Sequence, residues 1–311
     1  MEIASLLNGL PGAVAQGLIW GIMAIGVYIT YKILDVADLT VDGTMCTGGA
    51  VCIMMMMSGK PMWLCLLISF GAGLLAGLAT GIFHTVMGIP AILAGILTQL
   101  GLYTVNLKIL GKANQPISYQ KYDLLVSLRN VMNPEKPFYR DTIFIVAICV
   151  IVLIALLYWF FGTSLGCSLR ATGCNANMSR AQGINTKVNT VLGLMLSNGI
   201  VAFASALLAQ YQGFADVNMG RGAIVIGLAA VIIGGVLFDK IFRNFALKLL
   251  GVAIGGIVYY VVLQFVMWLG IDADMLKLLS ALVVAFFLAI PYWKKKFFSK
   301  PVKQKAQKGE K

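Results

Sequence analysis

Charge is scarce in this 311-residue chain: Asp, Glu, Lys and Arg together make up 12% of it, against 59% hydrophobic residues. A soluble domain carries about a quarter charged residues, so this chain cannot cover a surface that faces water. Its mean hydropathy is +0.88. Acids are scarcer than bases, 12 against 24. In a soluble protein the net charge of +12 would point to nucleic acid. Here much of the excess sits in the tail from Lys294-Lys295-Lys296 to Lys311, directly behind an apolar run. That placement suits anionic membrane headgroups, and no nucleic-acid partner is expected. Histidine occurs once, as His84; without a second His or Cys at ligand spacing, a hydrogen-bonded or interfacial role is expected and a metal site is not. There is no GxxxxGK[ST] loop, nucleophile elbow or zinc-hydrolase helix, so neither nucleotide binding nor catalysis is expected of this chain. Met1 to Pro11 lacks a basic stretch and the first apolar run is long enough to span, which argues against a cleaved signal. Nor do the six cysteines form a disulfide framework. Cys46, Cys52, Cys65 and Cys149 lie in apolar runs, where a free thiol behaves as a small hydrophobe, while Cys167 and Cys174 fall in a polar stretch assigned below to the reducing cytosol.

What the chain has is glycine and long apolar runs. Its 34 glycines suit helices packed closely in lipid. A crossing needs about 20 apolar residues. Candidate crossings run from Ala13 to Tyr31, Thr40 to Met57, Met62 to Phe83, Ile89 to Leu110 and Ile143 to Gly162. After a polar interval come Asn189 to Ala209, Ala223 to Phe238, Leu249 to Trp268 and Ala273 to Tyr292. The expected fold is therefore an all-α polytopic membrane protein with eight or nine transmembrane helices. Thr40 to Met57 and Ala223 to Phe238 are short and rich in glycine, so discontinuous or re-entrant segments are expected there. The run Met54 to Met57 invites a copper site, but consecutive residues point around a helix and cannot converge on one ion, so flexible packing is expected.

Orientation follows from charge. The basic tail belongs inside, and so does the basic interval Thr163 to Lys187. Counting back and forth puts Asp239 to Lys248 inside, and Gln210 to Gly222 outside with Gly111 to Asp141. The last of these, with Pro116, Pro134 and Pro137, reads either as an ordered loop that receives a partner or as a plain connector. Nine crossings place the N-terminus outside; one re-entrant segment places it inside.

The interval from Ser164 to Gly213, SLGCSLRATGCNANMSRAQGINTKVNTVLGLMLSNGIVAFASALLAQYQG, is the most informative stretch. Gly166, Leu169-Arg170-Ala171, Asn175, Gly183-Ile184-Asn185 and the small-residue run Ala202 to Ala209 resemble the loop by which permeases of the branched-chain amino-acid and ribose type of ABC importer dock on their ATPase. Gly222 to Gly235 (GAIVIGLAAVIIGG) and Gly17 to Tyr31 resemble further segments of that superfamily, and within it the chain looks closest to tryptophan- or tyrosine-type permeases. The likeness covers most of the chain and is weakest over Gly111 to Asp141.

Two stretches of the chain also resemble each other. Ala37-Asp38-Leu39-Thr40-Val41-Asp42-Gly43 can be laid beside Ala215-Asp216-Val217-Asn218-Met219-Gly220-Arg221, each behind a long span and ahead of a short one. An odd number of intervening spans would invert the second copy, as in transporters whose substrate path runs along discontinuous helices at a repeat interface. The first stretch, DLTVDG, is similar to the superfamily's Asp-Leu-Ser-Val-Gly with Asp42 inserted. Asp38, Thr40, Asp42, Asp216 and Asn218 are therefore candidate pathway residues, since ionisable groups at helix breaks usually face a cavity or partner. The competing reading is that the aspartates cap the helices that follow them, and the two roles are compatible.

The resemblance implies a permease domain over residues 1–293, with repeat halves at about 13–162 and 189–292 joined by a cytoplasmic coupling loop at 163–188, and a basic tail at 294–311. It also implies an ABC ATPase subunit that carries ATP and Mg, with no cofactor in this chain, and an extracellular solute-binding lipoprotein. A second copy of the chain or a related permease would complete the pathway in a bacterial cell membrane. Arg170, Ala171, Asn175, Arg180, Ala181, Gly183 and Ile184 would form the coupling surface; the two arginines either pair with acids on the ATPase or serve as positive-inside anchors. The solute would be a small polar molecule, with aromatic amino acids leading and nucleosides and sugars as the other candidates. A carrier or channel coupled to an ion through Asp38 or Asp216, with no ATPase, is the other class of reading.

Overall fold

The structure, a computed structural model, describes residues 3–118, 122, 124–131, 140–238, 241, 242, 244–269, 275, 278, 281–287 and 289. Helix α1 (Ile3–Tyr28) continues into a π-helical turn, Ile29–Leu34, that ends on Asp35 in the left-handed region. Helices α2 (Thr40–Met57), α3 (Met62–Thr85) and α4 (Ala91–Leu110) follow, then α5 (Thr142–Gly162). Two short helices, α6 (Ser164–Cys174) and α7 (Ala176–Ala181), precede α8 (Thr186–Gln212), α9 (Ala223–Phe238) and α10 (Phe245–Trp268). A two-stranded seam of sheet, β1 (Asn114–Pro116) antiparallel to β2 (Phe214–Asp216), ties the segment after α4 to the segment after α8. Among the described residues, seven helices are long and apolar enough to cross a membrane; α9, at 16 residues, is shorter.

The contacts order these helices into a bundle with two distinct ends. Gly173 of α6 abuts the Ile33 backbone at the end of α1, and Gly166 abuts Phe160 and Phe161 at the end of α5. Thr172 accepts a hydrogen bond from Asn189 at the start of α8, and Arg170 lies over the ring of Phe245 at the start of α10. At the opposite end Tyr211 donates to Gly12 O, and Met57 meets Gln115 and Tyr122. Helices α1 and α5 therefore run toward the α6–α7 end, while α8 and α10 run away from it.

The packing exchanges helices between the two halves. Helix α8 packs on α2 and α3, α1 packs on α9 and α10, and α1 and α8 meet each other in the centre. If α1, α2 and α3 correspond to α8, α9 and α10, each contact has a counterpart in the other half. The corresponding helices run in opposite directions, the arrangement expected of an inverted repeat.

Lipid supplies no hydrophobic force between helices, so close backbone approach has to hold them together. The stripe Gly73, Gly77 and Gly81 on α3 lies against α8, where an added Cβ at Gly77 would sit 2.7 Å from Met195 Cα. Gly17 and Gly21 on α1 meet Gly256, Ile257 and Ala253 on α10 in the same manner.

The helices follow the apolar runs closely. Thr40–Met57 and Ala223–Phe238 have the expected bounds, but only α9 is a partial helix; α2 is a continuous 18-residue helix and a full candidate span. The first span is longer than expected because the π turn prolongs it to Leu34. Half of the run from Ala273 to Tyr292, all of the tail from Lys294, and parts of the Gly111 to Asp141 and Asp239 to Lys248 connections lie outside the described residues. The four methionines from Met54 point around α2: Met56 is buried and Met57 is exposed. His84 is hydrogen-bonded through Nδ1 to Ile89 O at 2.8 Å, bracing the turn between α3 and α4.

Candidate functional site

The five candidate pathway residues fall in three separate places. Asp38 and Thr40 sit in a buried polar knot at the start of α2. Asp38 Oδ1 accepts the Thr40 amide at 2.9 Å, and its Oδ2 accepts Asn198 Nδ2 at 2.7 Å. Asn198 Oδ1 in turn accepts the Thr44 hydroxyl at 2.7 Å. Thr40 Oγ1 meets Thr80 Oγ1 at 2.7 Å, and Thr80 donates to Thr98 at 2.9 Å. Asp38 is 3% exposed, and Thr40, Thr44 and Asn198 are 0% exposed. The knot thus joins α2, α3, α4 and α8 with a carboxylate whose two oxygens are both satisfied, as burial of charge requires. Asp38, one residue before the N-cap position of α2, holds the first amide of the helix from a buried position.

Asp42 does something the sequence did not anticipate. It lies in the first turn of α2, yet its carboxylate serves a different helix: Oδ2 accepts the Gly222 amide and Oδ1 the Ile224 amide, each at 3.0 Å. Amides at a helix start have no partner within the helix and carry its positive dipole end. The carboxylate satisfies both needs for α9. The chain reaches this position through the 217–222 turn, which runs back along α2. Cys46 Sγ donates to Val217 O at 3.0 Å, and the Gly220 amide donates to Cys46 Sγ at 3.3 Å. Gly220 packs on the Asp42 carbonyl, and an added Cβ would lie 3.0 Å from Met45 Cβ, so a side chain there would force the turn off α2.

Beside this junction is a cavity of about 280 Å³, lined by Asp42, Gly43, Cys46 and Asn106 with Gln99, Leu100, Tyr103, Val217 and Arg221. Asn106 is 0% exposed; its Nδ2 donates to Gly43 O at 3.3 Å and its Oδ1 has no hydrogen-bond partner.

Asp216 and Asn218 occupy the third place, at the end opposite α6 and α7. Asp216 Oδ1 accepts the Asn218 amide at 2.6 Å, closing a turn beside the β1–β2 seam, and Asn218 is exposed. Asp38 and Asp216 therefore share a local device, a carboxylate bonded to the amide two residues on, and share a place in the connection between a long and a short helix. They do not converge. Asp216 also does not cap α9, because Asp42 does.

Five of the seven coupling candidates, Arg170, Asn175, Arg180, Ala181 and Gly183, are exposed along α6, α7 and the turn after it. Asn175 caps α7 by accepting the Met178 amide at 3.0 Å, and Asn185 caps α8. Gly183, at φ +79°, ends α7 in a conformation that a side chain would strain. Asn175, Ala181 and Gly183 are exposed, as are Leu165 and Met178, while Ala171 and Ile184 are half-buried. Arg180 Nε donates to Thr186 Oγ1 at 3.0 Å, fixing α7 to the start of α8. Arg170, stacked at 5.4 Å on Phe245, is already engaged within the chain.

Asn198, Asn106, Gln99, Tyr103 and Arg221 are the residues that sequence reasoning missed. For Asn198, Asn106 and Gln99 the available signal was a side-chain amide inside a mostly apolar helix, where an unpaired polar group is costly; Tyr103 and Arg221 carried no such signal.

Comparison with known proteins agrees with this architecture. The family model of the branched-chain amino acid transport system permease component matches residues 10–288. A tyrosine transport system permease protein of Clostridioides difficile (strain R20291) is 38% identical over 283 residues, covering 91% of each chain. The fructose import permease protein FruF of Bifidobacterium longum (strain NCC 2705) is 25% identical over 254 residues, 79% of this chain and 67% of that one. Among solved structures, PsaBC from Streptococcus pneumoniae in complex with Fab has a similar fold, with a TM-score of 0.55 at 17% identity, covering 96% of this chain and 99% of that one. The chain belongs to the branched-chain amino-acid permease family and is a multi-pass permease subunit of an ABC importer.

Proposed function

We propose that this permease carries aromatic amino acids into the cell, with an extracellular binding protein delivering the solute and a separate ATPase supplying the work. The substrate class rests on the resemblance to the tyrosine permease over nearly the whole chain. Two copies, or one copy with a related permease, enclose the path in the cell membrane, with the α6–α7 end and the C-terminal tail in the cytoplasm. The ATP and Mg sites belong to the ATPase.

The observation that carries the coupling assignment is the pair α6–α7, exposed on one side and seated on the ends of α1, α5, α8 and α10 on the other. Closure of the ATPase dimer pushes on the exposed side, where Leu165, Met178 and Ala181 offer a small apolar surface. The load passes through Gly173 to α1 and through Asn189 to α8, as a rigid-body movement of helices. These are the two central helices of the exchanged packing, so their tilt reopens the bundle at the other end. A carrier coupled to an ion would have no use for this exposed pair.

Co-purification with the ATPase, followed by ATP hydrolysis stimulated by the binding protein, tests the assignment. Replacing Ala181 and Gly183 with Glu should abolish co-purification while the permease remains in the membrane at near-normal abundance. ATPase recovery that is unchanged by both substitutions refutes the docking surface.

A further inference from the structure

The cavity between α2, α4 and the 217–222 turn holds polar groups with unused hydrogen-bonding capacity of both signs. On the donor side are the Arg221 guanidinium, the Gln99 amide and the Tyr103 hydroxyl, none of them engaged among the described residues. On the acceptor side is Asn106 Oδ1, fully buried and without a partner. Asp42 adds to it: a carboxylate can accept about four hydrogen bonds, and the two amides of α9 use one position on each oxygen. Leu100 and Tyr103, both exposed, form the outer rim, and Val217 closes the wall.

The orphan amide oxygen of Asn106, buried beside the start of a partial helix, is expensive in a membrane protein unless it meets water or a ligand, while Arg221 is exposed at the mouth of the cavity and free to engage a ligand there. Neither group has a structural task there. Asn106 already holds the Gly43 carbonyl through its other amide atom, and the start of α9 is already neutralised by Asp42. Donors concentrated at Arg221 and acceptors concentrated at Asn106 and Asp42 suit a ligand with one anionic and one cationic group. A neutral sugar needs neither. The volume of about 280 Å³ is at the lower end of ligand pockets, which begin near about 300 Å³, and suits a single small metabolite.

We infer that this cavity is a station on the transport path for a zwitterionic α-amino acid, with Arg221 taking the carboxylate and Asn106 Oδ1 and Asp42 taking the ammonium. The side chain of the solute lies along Tyr103, Leu100 and Val217. The inference rests on the amino-acid importer reading above and deepens it. Because the binding protein selects the solute before it arrives, the station sets passage through the permease and not recognition outside it.

The test uses the complete transporter in liposomes, with labelled tyrosine uptake and ATP hydrolysis measured in the same vesicles. Arg221→Gln and Asn106→Leu should each lower tyrosine carried per ATP by about tenfold, the weight of one charge-assisted hydrogen bond. Stimulation of hydrolysis by the binding protein should stay within about twofold of the unaltered protein, because neither residue belongs to the α6–α7 surface assigned to the ATPase. Arg221→Lys should recover part of the loss, as a positive charge without the planar fork. Lys108→Gln, on α4 but outside the cavity, is the control. If Asn106→Leu does not assemble, Gln99→Leu takes its place with the same expected direction. Uptake per ATP unchanged in Arg221→Gln and in Asn106→Leu (or Gln99→Leu in its place) removes the station while leaving the importer reading intact. An unaltered transporter that hydrolyses ATP but carries no amino acid refutes both.

Discussion

Removing the Asp42 carboxylate should loosen the start of α9 without unfolding the bundle. Its two oxygens hold the Gly222 and Ile224 amides at 3.0 Å each, and no other acceptor stands in for them. A hydrogen bond to a charged group is worth about 1.5–3 kcal/mol, and the loss of a helix cap alone costs about 0.5–2 kcal/mol. Asp42 is only half-buried, so water replaces part of each bond and the lower end applies. Two bonds at the lower end come to about 3 kcal/mol, or about 150-fold in a local opening equilibrium. Asp42→Asn keeps one acceptor oxygen and turns an amide donor toward the other N–H. It should lose about half as much, near tenfold.

Hydrogen exchange read by mass spectrometry reports that equilibrium directly, because amides at the α9 start exchange through local opening. Peptides spanning residues 218–227 of the detergent-solubilised protein should exchange faster in the order Asp42→Ala, Asp42→Asn, unaltered protein. Peptides from α5, which makes no contact with the junction, should not change. Unchanged protection at residues 220–226 in Asp42→Ala, in protein that still elutes as a folded species, would refute the account of Asp42 as the anchor of α9.

The remaining predictions concern the other aspartates and the membrane topology. Asp38→Asn should transport at close to the normal rate, because Oδ1 still accepts the Thr40 amide and the network can reverse, the new amide donating to Asn198 Oδ1 and Asn198 to Thr44 at the loss of the Asn198–Leu194 bond alone. Asp38→Ala strands Asn198 and the Thr40 amide in a dry site and should cut folded yield severalfold, measured by size-exclusion chromatography; similar uptake defects in Asn and Ala variants of equal yield would show instead that charge at Asp38 is used in transport. With the six native cysteines replaced, a cysteine at Asn218 should react with an impermeant maleimide from outside and one at Ala176 only after permeabilisation; the opposite pattern would invert the orientation and remove the coupling argument.

Helix positions were legible because each apolar run is long and bounded by polar or glycine-containing turns, so composition alone fixed α2 and α9 to the residue. The length of α1 was not, because Tyr31 and Lys32 read as the end of a span whereas the backbone continues as a π turn through Leu34. The kinship of the two Ala-Asp stretches was also legible, and at the local level it was informative: Asp38 and Asp216 make the same bond to the second amide on. That they would meet at one path did not follow. A pattern in sequence specifies a turn, whereas the meeting of two turns depends on which ends of the bundle they occupy.

Asp42 shows why the site itself was harder to read. Its partners are backbone amides 180 and 182 residues away, and a backbone amide has no signature in sequence because every residue except proline carries one. The cue that existed was negative: the α9 segment begins at Gly222-Ala223 without Ser, Thr, Asp or Asn at the usual capping position. A helix start at membrane depth cannot leave its amides unmet, so a missing local cap implies a distant acceptor, and acidic residues within the apolar runs are few. Asp42, inserted relative to the Asp-Leu-Ser-Val-Gly motif and read as a pathway residue or a cap of its own helix, was the candidate for that distant acceptor. The same reasoning extends to Asn106 and Asn198, whose side chains are buried in otherwise apolar helices. Asn198 meets its full complement in Asp38, Thr44 and Leu194. Asn106 does not, and that difference separates a residue that holds the bundle together from one that still has an acceptor to offer.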